Sequence, residues 1–105
     1  MNLGLNGKNA VITGGSKGIG RSIALALAQE GANVSICARG EEAVRATEKE
    51  LLAIGVKVYA DTCDVSDTSN LEAYLENTKK HLGGVDILVN NVSALTMGDG
   101  LEEWQ

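Results

Sequence analysis

The chain has 105 residues, of which 44% are hydrophobic, and this length suffices for one compact domain with a single core. Its formal net charge of -5 argues against binding to nucleic acid or to an anionic membrane surface. No run of about 20 apolar residues and no signal-peptide pattern occurs, so the sequence predicts no membrane span and a cytoplasmic location. We therefore expect residues 1–105 to form a single domain.

Short apolar segments alternate with longer segments rich in helix formers. The short segments are typical of buried strands, and the helical segments end at glycines placed as C-caps. Strands are predicted at 9–13, 33–38, 56–60 and 85–90, and helices at 21–30, at 41–54 and from near Asp67 to Gly83. In the last helix, Ser69 and Glu72 have the spacing of a capping box. This alternation predicts an α/β fold with a parallel sheet covered by helices on both faces.

The segment TGGSKGIG, residues 13–20, crowds four glycines between the first strand and the first helix. A glycine turn there lets the backbone approach a pyrophosphate, and the following helix presents unpaired N–H groups and its positive dipole end. We expect Gly14 to make the turn, Gly18 to allow the close approach, and Gly20 to let the helix pack on the sheet. The spacing is G-x-x-x-G-x-G, and the alternative is a tight turn that binds nothing. The flanking strand and helix favour a nucleotide site.

The end of the second strand indicates which nucleotide is favoured. An acid there holds the ribose 2′-hydroxyl of NAD, whereas this chain has CARG, with Arg39 at that position. A guanidinium matches a 2′-phosphate, and Lys17 inside the glycine segment adds a second positive charge. Either cation alone is typical of a solvated surface. Together they favour NADP(H) over NAD(H).

Three segments carry a resemblance to a known family. TGGSKGIG, then CDV at 63–65, then GGVDILVNN at 83–91 resemble, in order and spacing, the N-terminal half of a short-chain dehydrogenase/reductase, similar to 3-oxoacyl-acyl-carrier-protein reductases. The resemblance covers nearly the whole chain. It implies a Rossmann-like doubly wound sheet, here truncated after the fourth strand, and NADP(H)-dependent hydride transfer at a carbonyl or alcohol carbon.

The resemblance also assigns roles to single residues. It implies that Ser16 lies near the adenosine ribose and Ile19 near the nicotinamide side of the cofactor. Asp64 would accept a hydrogen bond from the adenine amino group, and Val65 would line that pocket. Without the resemblance, Asp64 is an ordinary helix cap or loop acid.

The fourth strand departs from the family pattern where it ends. Relatives have Asn-Asn-Ala-Gly there, with a backbone that borders the cofactor ribose, whereas this chain continues from Asn91 into Val92 and Ser93. Val92 adds bulk, and Ser93 adds a Cβ where only glycine adopts some backbone shapes easily. The loop is therefore either displaced, or Ser93 hydrogen-bonds the ribose.

The family's catalytic residues have no counterpart in this sequence. In the family a Ser, a Tyr and a Lys four residues after the Tyr act on the substrate, with an Asn assisting. Tyr59 is followed at that spacing by Cys63, and Tyr74 by Thr78. We expect a cofactor-binding half that is inactive alone, with no catalytic or metal-binding residue. The alternatives are a non-catalytic nucleotide-binding or partner-binding module and a degenerate fragment that binds nothing.

The fourth strand also bears on assembly. Without a neighbour, its edge would present unpaired N–H and C=O groups together with apolar side chains. We expect the free chain to form homo-oligomers through that edge, to aggregate or to unfold in part, unless the rest of a parent enzyme mediates the assembly. The substrate is not encoded in these residues.

Overall fold

The computed structural model describes residues 4–91, so Val92 and Ser93 lie outside the described residues. Seven elements alternate along this part of the chain: β1 (Asn9–Thr13), α1 (Gly18–Gln29), β2 (Asn33–Ala38), α2 (Glu41–Ile54), β3 (Val58–Thr62), α3 (Thr68–Leu82) and β4 (Ile87–Asn90). All strand pairs are parallel, and the strand order is β3-β2-β1-β4. The fold is the predicted α/β fold with a Rossmann-like parallel sheet.

Two apolar clusters cover the two faces of the sheet. On one face, α1 and α2 pack on the strands around Ile12, Ile36 and Leu51, all of which have no exposed surface. On the other face, α3 contributes Tyr74 to a smaller cluster with Val11 and the two free cysteines. Burial on both faces explains why the strands are β-branched and nearly continuous in their apolar character.

The strand order creates a switch point between β1 and β4. From β1 the chain builds outward through β2 to β3, and then returns across the sheet to pair β4 with β1 on its other side. Thr13 and Asn90 face each other at the carboxyl ends of these two strands. Ligands of open α/β sheets bind in the crevice beyond such a point.

Several predicted boundaries differ from the observed ones. Helix α1 begins at Gly18 rather than at residue 21, because Lys17 is extended and serves as its N-cap. Strand β3 begins two residues late, since its register with β2 pairs Val58 with Val34. Strand β4 begins at Ile87, two residues later than predicted, and it borders the described sheet on one side.

The predicted capping box in α3 is wrong. Asp67 is the N-cap, and its carboxylate accepts a hydrogen bond from the backbone N–H of Asn70 at 3.2 Å. A carboxylate two residues before Ser69 occupies the cap position, so Ser69 lies inside the helix. The predicted glycine C-caps of α2 and α3 are confirmed, since Gly55 and Gly83 both adopt the left-handed conformation.

A buried hydroxyl cluster joins α3 to β2. The Ser35 hydroxyl lies 2.5 Å from the Tyr74 hydroxyl and 2.8 Å from that of Thr78, and all three residues are buried. Desolvation by burial is the main cause that raises the pKa of Tyr74, so the phenol stays protonated. The cluster fixes the position of α3 by hydrogen bonds as well as by packing.

The two edges of the described sheet are treated differently. At the β3 edge, the Arg45 guanidinium donates to the carbonyl oxygen of Ala60 at 3.0 Å and lies 3.8 Å from the Asp61 carboxylate. A charged side chain on an edge strand discourages pairing with another chain. At the β4 edge, Leu88 is 61% exposed. No helix within residues 4–91 is long and apolar enough to cross a membrane.

Candidate functional site

The glycine loop, residues 14–17, lies between the carboxyl ends of β2 and β4. The N–H groups of Gly14 and Gly15 both donate to the carbonyl oxygen of Cys37, at 2.8 and 3.3 Å. From the other side, the side-chain amide of Asn91 donates to the Gly14 carbonyl at 3.3 Å. The strand ends therefore hold the loop from both sides.

Two glycines of the segment allow close packing of backbone on backbone. Gly14 has a φ of +73°, and a Cβ there would lie 2.2 Å from the Asn91 carbonyl oxygen. A Cβ on Gly20 would lie 2.2 Å from the Gly14 carbonyl oxygen. These distances are too short for any side chain, so the start of α1 approaches the loop closely only because both residues are glycine.

Gly18 differs from these two glycines in its surroundings. It has a φ of +53°, and apart from its chain neighbours and the nearby backbone of α1, no atom of the described residues lies within 4 Å of its ideal Cβ position. The space beside this residue is open to solvent at the first turn of α1. An approaching ligand could therefore contact the backbone here directly.

The N-terminus of α1 presents free hydrogen-bond donors. Within residues 4–91, the backbone N–H groups of Lys17, Gly18 and Ile19 donate to no acceptor. The first turn contains no acidic residue, and no side chain of the described residues caps it. Ile19 is 71% exposed, and the Lys17 side chain is exposed beside it. This end of the helix combines unpaired donors, the positive dipole end and one ammonium group, which suits an anion.

A second region lies at the carboxyl ends of β2 and β3. A shallow cavity of about 300 Å³ is lined there by Arg39, Thr62, Cys63, Asp64 and Asn70. The Arg39 side chain is exposed and forms no ion pair with any residue of the described range. Hydrogen bonds from Ser66 lower the pKa of Asp64, and the charge of Arg39 lowers it further. The cavity thus has a cationic and an anionic side.

The two oxygens of the Asp64 carboxylate have different environments. Oδ1 accepts from the Ser66 backbone N–H at 3.0 Å and from the Ser66 hydroxyl at 2.6 Å, which is the role of an ordinary loop acid. Oδ2 accepts no hydrogen bond from the described residues, so it can still bind a donor. The Asn70 side chain accepts from the Asp64 N–H at 2.9 Å and ties this loop to α3. Val65 is half-buried against the cluster of Val11 and Tyr74.

Sequence reasoning missed three polar residues that position this region. The Thr13 hydroxyl donates to the Asn90 side-chain oxygen at 2.8 Å and accepts from the Asn91 N–H at 3.2 Å. The Thr47 hydroxyl donates to the Ser16 carbonyl at 3.3 Å, and Asn70 holds Asp64 as described. The burial of Thr47 could have been predicted from the sequence, because its spacing from Val44 and Leu51 places its hydroxyl on the buried face of α2.

The predicted site residues form two groups in the structure. The glycine loop, the start of α1 and Asn91 surround the end of β1, whereas Arg39, Asp64 and Val65 surround the ends of β2 and β3. Within the described part of the chain, no three His, Cys, Asp or Glu side chains are grouped so that they could hold a metal ion. The arrangement can bind an elongated ligand with an anionic middle and a polar end.

Comparison with known proteins identifies the family. The model of the family described as short chain dehydrogenase matches residues 8–104. The chain belongs to the short-chain dehydrogenase family. The predicted resemblance is confirmed, and with it the assignment to a family of oxidoreductases.

Several individual oxidoreductases resemble this chain in sequence and structure. A 3-oxoacyl-[acyl-carrier-protein] reductase of Staphylococcus aureus is 42% identical over 85 residues, which are 80% of this chain and 35% of that protein. L-Sorbose reductase from Gluconobacter frateurii, solved with NADPH and L-sorbose, superposes with a TM-score of 0.84 at 37% identity, over 99% of this chain and 41% of that one. An NAD⁺-bound xylitol dehydrogenase superposes with a TM-score of 0.82 at 29% identity, over 85% and 34%.

The chain is much shorter than the proteins that it resembles. It spans 35% of the length of the bacterial reductase and 41% and 34% of the two structures. Of these two structures, that of the L-sorbose reductase contains NADPH and that of the xylitol dehydrogenase contains NAD⁺.

Proposed function

We propose that this chain binds NADP(H) and supplies the cofactor-binding half of a short-chain dehydrogenase that transfers a hydride to or from a carbonyl or alcohol carbon. The pyrophosphate would lie at the glycine loop and the N-terminus of α1, between Gly14 and Gly20. The adenine end would lie in the cavity beside Asp64 and Val65. The nicotinamide side would lie near Ile19 and the segment of Asn91, Val92 and Ser93.

The observation that carries this proposal is Arg39 on the cavity rim, whose guanidinium forms no ion pair within the described part of the chain. Arg39 lies one residue after β2, and Asp64 feels its charge but forms no ion pair with it, nor does any other acid of residues 4–91. Its guanidinium can therefore pair with a 2′-phosphate in two parallel hydrogen bonds. NAD(H) would present a neutral 2′-hydroxyl to the same group and would gain much less. Lys17 would add a second charge from the glycine loop.

The fit to the pyrophosphate rests on the glycines and on the free donors. The open space beside Gly18 would admit a phosphate oxygen, and the unpaired N–H groups of residues 17–19 would donate to it. The ribose near Ser16 would lie over the same loop. The bound cofactor would supply the hydride chemistry, and these residues would bind and orient it.

We expect no turnover by the isolated chain. No tyrosine of the sequence precedes a lysine by four residues, and that pair would hold and move the proton at the reacting oxygen in the family. We therefore expect the 105-residue chain to bind NADPH without oxidising it, in the presence of any carbonyl compound. We also propose that the protein acts in the cytoplasm.

Calorimetric titration of the 105-residue chain with NADPH and NADH tests this proposal. We expect NADPH to bind at least about tenfold more tightly, since a charge-assisted bidentate contact contributes more than about 1.4 kcal/mol. Arg39→Ala should remove most of that preference, mainly by weakening NADPH. Lys80→Ala, which removes one exposed positive charge from the last turn of α3, is the matched control and should change neither affinity. Equal affinities for the two cofactors in the unmodified chain would contradict the NADP(H) assignment.

A second candidate function is partner binding through the β4 edge. Strand β4 borders the described sheet, and the exposed Leu88 adds an apolar side chain on its face. These two features favour partner binding, because an unprotected apolar edge strand is a template for pairing with another strand. We propose that a homo-oligomer forms through this edge when the chain is alone. This binding mode is compatible with cofactor binding at the carboxyl ends of the strands.

A further inference from the structure

Thr47 lies near the middle of α2 on the face directed toward the glycine loop. It is 1% exposed, and its hydroxyl donates to the Ser16 carbonyl oxygen at 3.3 Å, across 31 residues of sequence. We propose that Thr47 is a positioning residue for the dinucleotide, which holds the Ser16–Lys17 peptide so that its N–H is directed at the pyrophosphate. This inference rests on the proposed function.

A threonine inside a helix has a simpler use for its hydroxyl. It commonly bonds to a carbonyl one turn earlier in its own helix, which satisfies the group without any tertiary contact. Thr47 instead donates outside its helix, to the loop that precedes α1. Its neighbours on the same buried face, Val44 and Leu51, are apolar, and valine would fill the same volume without a hydroxyl. The hydroxyl therefore adds a specific contact, to the Ser16 carbonyl, that packing of this face does not require.

The geometry of the peptide group connects that contact to the ligand. No cis peptide occurs within residues 4–91, and in a planar trans peptide the C=O and N–H bonds point in opposite directions. A hydrogen bond that holds the Ser16 carbonyl toward α2 therefore turns the Lys17 N–H away from α2. That N–H donates to no acceptor in the described structure, and it directly precedes the free N–H groups of Gly18 and Ile19. The three donors form one continuous set at the start of α1.

Thr47 would thus act before the ligand arrives. Without its hydroxyl, the Ser16–Lys17 peptide could rotate and place a carbonyl oxygen toward the phosphate, which would repel it. The effect should be confined to ligands that carry a pyrophosphate. The Arg39 cavity is built from other elements, the ends of β2 and β3 and the start of α3, and should be unaffected.

Two ligands separate this positioning role from general stability. NADPH contacts both regions, whereas adenosine 2′-monophosphate has the 2′-phosphate and adenine but no pyrophosphate. For Thr47→Val we expect about tenfold weaker NADPH binding by calorimetry, because the misdirected Lys17 N–H would lose its hydrogen bond to the charged pyrophosphate. Affinity for adenosine 2′-monophosphate, measured by NMR titration, should not change. Thr47→Ser keeps the hydroxyl and should retain both affinities.

The other outcomes each decide the question. If Thr47→Val weakens both ligands equally, or leaves NADPH binding unchanged, Thr47 is only a packing residue and the inference is wrong while the proposed function stands. If the unmodified chain binds neither ligand, the proposed function fails and the inference fails with it. If Thr47→Val does not give a folded circular dichroism spectrum, Thr47→Ala is judged by the same two affinities.

Discussion

The Asn91 side chain and the Gly14 backbone are joined across the switch point of the sheet. The Asn91 amide donates to the Gly14 carbonyl at 3.3 Å, and the Asn91 carbonyl lies where a Gly14 side chain would begin, 2.2 Å away. The end of β4 therefore supports the glycine loop and also forbids any residue but glycine in its first position. The conformation of the glycine loop therefore depends on the position of the end of β4.

Gly14→Ala should lower the free energy of unfolding by about 3 kcal/mol or more, because it adds steric overlap to a positive φ. Gly55→Ala is the control. Gly55 also has a positive φ, of +104°, but apart from its two chain neighbours no atom of residues 4–91 lies within 4 Å of its Cβ position, so only the backbone cost of about 1 kcal/mol remains. Urea unfolding of the two variants measures the difference. Equal losses would mean that Asn91 does not constrain the loop.

The hydroxyl cluster that joins α3 to β2 predicts that two substitutions within it lower stability by different amounts. Ser35→Ala should cost about 2 kcal/mol, because it deprives both Tyr74 and Thr78 of a buried partner. Tyr74→Phe should cost only about 1 kcal/mol, since the Ser35–Thr78 bond survives. Tyr59→Phe, whose hydroxyl bonds the surface carboxylate of Asp61, should change stability by less than about 0.5 kcal/mol. The reverse order for Ser35 and Tyr74 would show that the cluster does not centre on Ser35.

The buried Cys37 thiol predicts how stability depends on alkaline pH. Desolvation by burial raises the pKa of Cys37 from 9.0 to about 12, so above pH 9 the unfolded chain loses this proton before the folded chain does. Stability should be fully present below pH 9 and should fall between pH 9 and 12, with a slope of about 1.4 kcal/mol per pH unit from this thiol. The raised pKa of Tyr74 acts in the same direction.

Cys37→Ala provides the check on this pH dependence. Its unfolding free energy will be lower at every pH because a buried side chain is shortened, so the slope rather than the absolute value is compared. Urea midpoints between pH 8 and pH 10.5 should fall less steeply in the variant. An unchanged slope would assign the dependence to other groups, such as Cys63, whose pKa is also raised by burial.

The contrast between the two sheet edges predicts self-association through β4. Leu88→Lys should reduce concentration-dependent association of the chain in sedimentation experiments, because a charged side chain disfavours edge pairing. Leu52→Lys replaces a comparably exposed leucine on α2, 52% against 61%, and should leave association unchanged. A monodisperse monomer with full secondary structure before any substitution would contradict the oligomer proposal.

Local patterns were sufficient for the order and type of the elements. The alternation of β-branched strands with glycine-terminated helices reflects interactions within a few residues, so it can be recognised without tertiary contacts. The boundaries at β3 could not be predicted from such patterns, since pairing with Val34 determines where Val58 enters the sheet. At the start of α3, Asp67 and Ser69 are both residue types that cap helices, so the sequence pattern alone does not distinguish them. In the structure the helix begins after Asp67, which is the cap.

Some features of the candidate site could likewise be predicted from the sequence, whereas others depend on tertiary contacts. The sequence alone determined that a glycine-rich turn joins a strand to a helix and that a cation follows the second strand, because both features are contiguous in the chain. Only the tertiary structure decided that Asn91 closes the loop from β4 and that one oxygen of Asp64 accepts no hydrogen bond from residues 4–91. It also decided that Thr47 holds the Ser16 carbonyl. These contacts join residues from 31 to 77 positions apart or depend on the direction of a single oxygen, and the packing of the sheet and helices brings them together.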